Sequence, residues 1–454
     1  RARAYSPSQV AGVNATTPVP GTPFTLQSLY DATGCAVGAP TCQDFRLYPG
    51  VEGVTKFQAT GTISNWKQNT SSRAVFFQGS LDLSDSVTLT AGVRYTEEEK
   101  IAHADAYQTT SLTGLANPNP SPLLAGLNGN FFERWDHNFD EQRSTNQLIP
   151  AANLQWTRSE DSKFYLSYSE GFKSGGFNAV DSQAPAFTAA GPQLTVPGLG
   201  FEYDDENAAS FELGGKHTLL DGAMNLNWAY FNSEYEDQQV STFVGLGFVV
   251  TNAASTDVTG VEIDMKWQAT DNLRLGANFA IMDGKYGSYP GAGCTAAQAS
   301  GLLGLGTLTA ADGQNHTFDG CTAKFNPGNG AQTGSGAQDL AGGQVGTDYN
   351  GSLSADYTRP LSNGILWFTS VDVNFTDGFF MAGDMDPIDY SDGFEKVNIR
   401  TGLRGDYWDL MLYGKNVTDE ITPQGAFDIP LAAGAHARYM TPGDVWGMRF
   451  SFSF

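Results

Sequence analysis

SKFYLSYSEGFKSGGFNA, from Ser162 to Ala179, decides how the rest of the 454-residue chain is read. Its first half alternates. Phe164, Leu166, Tyr168 and Phe172 fall on one face of an extended segment and Lys163, Ser167, Ser169 and Lys173 on the other, the two-residue period of a strand with one oily and one wet side. Its second half, Gly171 to Asn178, breaks that order with three glycines around Lys173 and Ser174, as a strand does where it leaves an ordered layer for a loop.

The same pattern continues outward in both directions. Val75, Phe77, Gly79, Leu81 and Leu83 line one face, Ser84-Asp85 supplies a turn, and Val87, Leu89, Ala91, Val93 and Tyr95 line the same face on the return. The intervening Ser86, Thr88, Thr90, Gly92, Arg94 and Thr96 are small or polar, which predicts a hairpin greasy on one side and wet on the other. Strands near 144–157 and 162–175, 206–219 and 224–240, 252–269 and 272–286, 347–359 and 364–380, and 393–405 and 407–416 repeat the unit, and a last strand follows near 444–454. Each pair is joined by a short turn. The alternate connections are long, 103–143, 180–205, 287–346 and 417–443, with shorter ones at 241–251 and 381–392.

Short turns at one end and long loops at the other are the asymmetry of a transmembrane antiparallel β-barrel, with short periplasmic turns and long extracellular loops. A soluble sandwich also alternates, but its polar face carries many charges into bulk water. Here the polar face is rich in Ser, Thr, Asn and Gly, and the apolar face carries Trp156, Trp228, Tyr230, Trp267, Trp367, Phe375 and Trp446, like an interfacial girdle. From Ser72 to Phe454 the pattern predicts thirteen strands, the first and last running in the same direction. Residues 1–71 are expected to be mostly extracellular loop, with room for one strand, and residues 72–454 to be the C-terminal part of the barrel. Strands of like direction cannot pair antiparallel, so either residues 1–70 supply one more strand or a larger N-terminal portion of the wall is expected.

Composition sets bounds on function. No run of about 18 apolar residues is present, so helical membrane spans are excluded. A mean hydropathy of -0.28 fits a barrel, whose strands expose every second residue to a polar lumen. The net charge of -24 argues against nucleic acid, which requires a basic surface. Cys35 and Cys42, and Cys294 and Cys321, sit in Gly/Ala/Thr-rich segments without Cys-x-x-Cys spacing, which reads as two loop disulfides formed in an oxidising compartment rather than a zinc site. The N-terminal RARAYSPSQV lacks the apolar core of a signal peptide.

YSEGFKSGGFN, within the opening stretch, resembles a segment of TonB-dependent outer-membrane receptors. Ser72 to Lys100 is similar to the mid-barrel hairpin of that family, Glu206 to Val240 to the next pair of strands, and YGKNVTDE (Tyr413 to Glu420) with the strand ending in Phe454 to its C-terminus. The resemblance implies a barrel of about 22 strands around a plugged lumen. It further implies outer-membrane lipid as surroundings, a small-molecule nutrient as ligand, a TonB complex reached through the plug, and barrel-assembly machinery that reads the aromatic Phe454. No plug or TonB box is identifiable, so this segment is expected to bind ligand without energised uptake on its own.

No nucleophile elbow, phosphate loop or His-Glu-x-x-His occurs, and His103, His137, His217, His316 and His436 are scattered, so an enzyme is not expected. Inward-facing Glu212, Lys216, Glu262, Asp264, Lys266, Arg274, Lys396, Arg400 and Arg404 line either a ligand path or a set of ion pairs that stiffen the wall. Candidate ligand contacts are Phe131, Phe132 and Trp135 in the long loop, with Lys173, Arg274, Arg400 and Arg404. Gly171, Phe172, Lys173, Ser174, Gly175, Gly176, Phe177 and Asn178 form a structural motif in which Gly175 and Gly176 are read as backbone hinges. No intrinsic cofactor is expected and no metal-ligand set is assigned. The acidic outer loop with Asp384, Asp386, Asp389 and Asp392 could attract a divalent cation but lacks the Asp-x-Asp-x-Asp-Gly spacing of a calcium loop. Two other readings stand beside the receptor: a passive porin, and a structural barrel whose loops bind a partner protein.

Overall fold

The computed structural model describes residues 60–110, 115–116, 137–179, 186–188, 191–193, 202–244, 247–306, 315–325, 332–429 and 435–453. Cys35, Cys42, Phe131, Phe132, Trp135 and Phe454 lie outside them. The wall is β1 (Thr60–Ser84), β2 (Val87–Thr110), β3 (His137–Ser159), β4 (Ser162–Lys173), β5 (Glu206–Leu219), β6 (Met224–Val244) and β7 (Gly247–Thr270), continued by β8 (Leu273–Ser288), β9 (Tyr349–Pro360), β10 (Leu366–Thr376), β11 (Phe394–Arg404), β12 (Trp408–Lys415) and β13 (Val445–Phe452). These thirteen follow one another in a 14-stranded sheet, the extra member being the two-residue strand Leu115–Ala116 against β2. Every pairing in the sheet is antiparallel.

Register carries the sequence alternation across the sheet. Leu81 lies opposite Leu89, Leu89 opposite Leu154, Leu154 opposite Leu166 and Leu166 opposite Leu213. The row continues through Tyr230, Val261, Ile281 and Tyr349. Beside it runs a polar row in which Lys163, Lys216, Asn227, Asp264, Asn278, Ser352, Asn374 and Lys396 succeed one another. Because strand side chains alternate in direction, the two rows occupy opposite faces. The oily face is open: Phe77 is 73% exposed, Leu81 61%, Met448 68% and Phe450 62%. A face this apolar and this open is stable against acyl chains, not water.

Several elements run further than the alternation alone suggests. β1 begins at Thr60 rather than Ser72, and β2 and β3 remain paired as far as Ala106 and His137, inside the span expected to be loop. The 241–251 connection is instead a continuation of β6 and β7, with Val244 opposite Gly247. The added rungs of β1, β2 and β3 are mostly polar, so the two-residue hydrophobic signal ends before their ladder does, whereas those of β6 and β7 run Phe248, Val249 and Val250 in succession and carry no alternation. Backbone pairing needs no oily side chain once the strand has risen out of lipid.

Tyr413 to Glu420 forms the sharp exit from β12. Asn416 takes a left-handed conformation (φ 50°), which Asn tolerates better than most residues. Its side-chain oxygen accepts from Glu420 N (3.0 Å) and its amide donates to the Glu420 carbonyl (3.0 Å). The chain is thereby turned into a hairpin, Pro423–Asp428 against His436–Met440. Lys396 on the wet face of β11 holds its base by donating to Thr422 Oγ1 and Thr441 Oγ1, both at 2.8 Å.

Candidate functional site

Function is expected at the long-loop end, where three ordered features meet the wall. In the first, the glycine-rich segment after β4 turns onto the wet face of β2 and β3. Lys100 donates to Ser174 Oγ and to the Gly175 carbonyl, each at 2.6 Å, and Ser174 donates to Glu98. Phe177 is buried against Ala102 and Ala104, with Trp66 beside them. Asn178 makes two 2.8 Å bonds with the backbone of Val250 in β7, so the strap reaches from β2 to β7.

Arg143 anchors this strap. Its guanidinium reaches Glu202 (2.7 Å), Asp204 (3.0 Å) and Asp205 (2.9 Å). Asp205 also accepts from Thr145 Oγ1 (2.9 Å) and from Gly175 N (2.7 Å). Burial works to raise the Asp205 carboxyl, but the Gly175 amide, Arg143 and Thr145 together outweigh it and hold the group below the ordinary aspartate value. Neither Arg143 nor Asp205 stood out in the sequence, since nothing local marks one arginine and one of two adjacent aspartates as partners across 62 positions.

The second feature is the long connection between β8 and β9. The Cys294–Cys321 disulfide, with Cα atoms 5.7 Å apart, closes it. It packs helix α1 (Ala296–Gly306) on a four-stranded ladder around Leu302, Cys321 and Ala323. Thr295 and Gln298 cap the helix reciprocally, Thr295 N donating to Gln298 Oε1 (2.8 Å) and Gln298 N to Thr295 Oγ1 (3.2 Å), a capping box. Buried Gln338 then joins this module to the next loop through the Asp384 carbonyl (2.9 Å).

That loop, 381–392, is the third feature, together with the 423–440 hairpin. Asp386 caps a single turn, Pro387–Asp389, by accepting from Ile388 N (2.9 Å), and the ladder of Phe379–Phe380 with Tyr390–Ser391 closes the loop at its base. His436 and Asp428 are direct cross-strand partners in the hairpin. The His436 Nδ1 lies 2.9 Å from Asp389 Oδ2 and 3.0 Å from Asp428 Oδ1, and its Nε2 lies 3.9 Å from Asp386 Oδ2. Burial alone would lower the His436 pKa, but Asp389, Asp428 and Asp386 raise it. Burial, reinforced by Asp428 and Asp386, pushes Asp384 up to about 6. The sequence pointed to the acidic run but not to its histidine, which arrives from 47 residues downstream.

The other predicted contacts are dispersed. Lys173 ends β4 at the loop side, 3.9 Å from Glu206. Arg274, Arg400 and Arg404 lie toward the short-turn end of the wet face, in ion pairs with Asp356 (3.1 Å), Asp372 (3.7 Å) and Asp409 (3.2 Å). Each of the three is thus held by a carboxylate of the wall.

An antiparallel wall with an oily outer face, a polar inner face and welded outer loops defines a membrane β-barrel of the outer-membrane class. The chain belongs to the TonB-dependent receptor family: the model described as "TonB dependent receptor-like, beta-barrel" matches residues 8–417. Barrels of this family are outer-membrane proteins, and the family is one of receptors and transporters rather than a class of enzymes. Similar solved structures include the ferric yersiniabactin uptake receptor FyuA from Yersinia pestis, with 14% identity, a TM-score of 0.58, and 87% of this chain and 47% of that one covered. The siderophore receptor PiuA from Acinetobacter baumannii gives 14%, 0.55, 85% and 44%. The ferric-catecholate import receptor Fiu from E. coli K12, in its closed form, gives 13%, 0.53, 86% and 45%. The chain spans about half the length of these solved structures, and at such identities the likeness is one of fold.

Proposed function

We propose that the chain is the barrel portion of an outer-membrane receptor that captures a scarce nutrient at the cell surface, of the ferric-siderophore, cobalamin, haem or carbohydrate kind. Delivery to the periplasm is then energised by the TonB complex through a plug. The observation that carries this reading is the ordered loop layer at one end of a polar-lined wall, in which Arg143 ties the β4–β5 connection to β3, and Gln338 and His436 each tie separate loops together. Ligand contacts are assigned to Phe131, Phe132 and Trp135 in the connection after β2 and to Lys173 at the lumen mouth. Arg274, Arg400 and Arg404 lie deeper along the path. Phe454 serves as the signal for the barrel-assembly machinery, and the protein acts by binding and transport, not by catalysis.

Planar-bilayer conductance of the full-length protein, paired with uptake by cells that carry or lack it, tests the proposal. Ferric siderophores lead the substrate panel because the solved structures above are receptors for such ligands. A nearly silent bilayer with TonB-dependent uptake is expected. A steady open conductance would establish the porin reading instead, and a copurifying surface protein with no uptake of any nutrient would establish the structural one.

A further inference from the structure

We propose that Asp386, Asp428 and His436 bind one divalent first-row transition ion, best matched by zinc, and that this ion fastens the 381–392 loop to the 423–440 hairpin. One donor atom from each of the three residues lies within 4.8 Å of the others. The two loops that supply them share no local sequence spacing, which is why no metal motif is legible in the chain.

The unpaired atoms point to a ligand. Asp386 is 3% exposed and Asp389 0%, and the His436 side chain is 8% exposed. Asp386 Oδ2, Asp428 Oδ1, Asp389 Oδ1 and His436 Nε2 are all buried without a hydrogen-bond partner. Buried polar atoms in folded proteins are nearly always paired; Asp428 Oδ1 and Asp389 Oδ1 at least face the cationic groups His436 Nδ1 (3.0 Å) and Arg438 Nε (3.9 Å), so Asp386 Oδ2 and His436 Nε2 are the two that need an explanation. The 3.9 Å between His436 Nε2 and Asp386 Oδ2 is too long for a hydrogen bond, yet one ion with bonds of about 2.0–2.2 Å spans it.

The surroundings fit the same occupant. Asp386 is held in place by its cap bond to Ile388 N, which engages Oδ1 and leaves Oδ2 directed elsewhere. The His436 Nδ1 is engaged by Asp389 Oδ2 at 2.9 Å, the carboxylate–imidazole arrangement that orients a ligating histidine and leaves its other nitrogen for the metal. Asp428 lies 3.0 Å from the same Nδ1 but outside hydrogen-bond geometry. Its side chain is 37% exposed, so the cluster has an open side through which an ion enters. Two carboxylates neutralise a doubly charged ion. An imidazole among carboxylates favours zinc and its neighbours over calcium or magnesium, which take oxygen ligands. The rival occupant is a proton: an imidazolium at His436 could hold the aspartates together without metal.

The test uses full-length protein extracted in detergent, stripped with a chelator and titrated with cobalt(II) and zinc(II), with hydrogen exchange followed in the 381–392 loop. One equivalent of cobalt is expected, giving visible d–d bands that zinc abolishes and calcium and magnesium do not. Exchange should slow on the order of 100-fold at free zinc about 100 times its Kd. Asp386→Asn and His436→Asn should each lose the equivalent, while His103→Asn, on the opposite stretch of wall, keeps it. Absence of a bound equivalent in the wild-type protein overturns the proposal. So does a loop equally protected with and without zinc, which would leave the imidazolium as the fastener. Transport is not the readout, so failure here leaves the receptor reading untouched.

Discussion

A methyl group added at Gly175 would lie 2.2 Å from the Tyr203 carbonyl oxygen and 2.6 Å from Arg143 Cζ, and one at Gly176 would lie 2.7 Å from the Tyr203 hydroxyl. Both glycines are therefore set by close approach of the strap to its anchor. Gly175→Val with Gly176→Val should cost at least the roughly 1–3 kcal/mol typical of overpacking. Folded barrel yield, read by heat-modifiable gel mobility, should fall more than ligand affinity in the molecules that do fold. Normal yield with lost binding would assign the glycines to the ligand instead. Asp205 gives the same strap a pH dependence. Its folded-state pKa is depressed, so its contribution is present above the unfolded aspartate value and disappears as pH falls through the lower folded one. Hydrogen exchange of residues 174–178 should stay slow through the ordinary aspartate range and accelerate only below it, and Asp205→Asn should remove that transition. The hinge reading of these glycines rested on composition alone. Arg143 and His436 could not be found that way, because their partners are brought together by folding and not by spacing.

Hairpins were the most legible elements, because lipid on one side and water on the other forces the two-residue period for as long as a strand stays in the membrane. β5 starts at Glu206 and ends at Leu219, where the alternation places it, whereas β1, β2 and β3 overrun it on mostly polar rungs and β7 on the unalternating run Phe248 to Val250, neither of which carries such a signal. The register makes a sharp prediction for one strand. Leu154 lies in the oily row and Asn153 beside Thr90 and Ser167 in the polar one. Leu154→Arg should destabilise the folded barrel by about 2–4 kcal/mol if it lies near the bilayer midplane, and Asn153→Arg should cost far less, as measured by denaturant titration in lipid vesicles. The disulfide module makes a second prediction. Bridging 27 positions, the Cys294–Cys321 bond contributes about 3–4 kcal/mol by loop-closure entropy. Cys294→Ser with Cys321→Ser should open the 292–338 segment to protease while leaving the wall resistant. Cleavage spread over the wall would show that the module supports more than itself.

At the scale of the whole molecule, β1 and β13 end the sheet path running in the same direction, each with oily side chains exposed, among them Phe77 at 73% and Met448 at 68%. Antiparallel neighbours cannot be made from two strands of like direction, so the described wall does not close by pairing its own ends. The inner polar face, the welded loops and the outer oily face are then one arrangement serving one environment. All of them depend on which medium each face meets. Spin-label accessibility along β2 in reconstituted membranes, one nitroxide at a time from Val87 to Tyr95, measures that directly. Val87, Leu89, Ala91, Val93 and Tyr95 should favour collision with oxygen dissolved in lipid, and Thr88, Thr90, Gly92 and Arg94 with a water-soluble nickel chelate, in strict alternation. A profile without that period, or one equally open to the chelate at every position, would contradict the account.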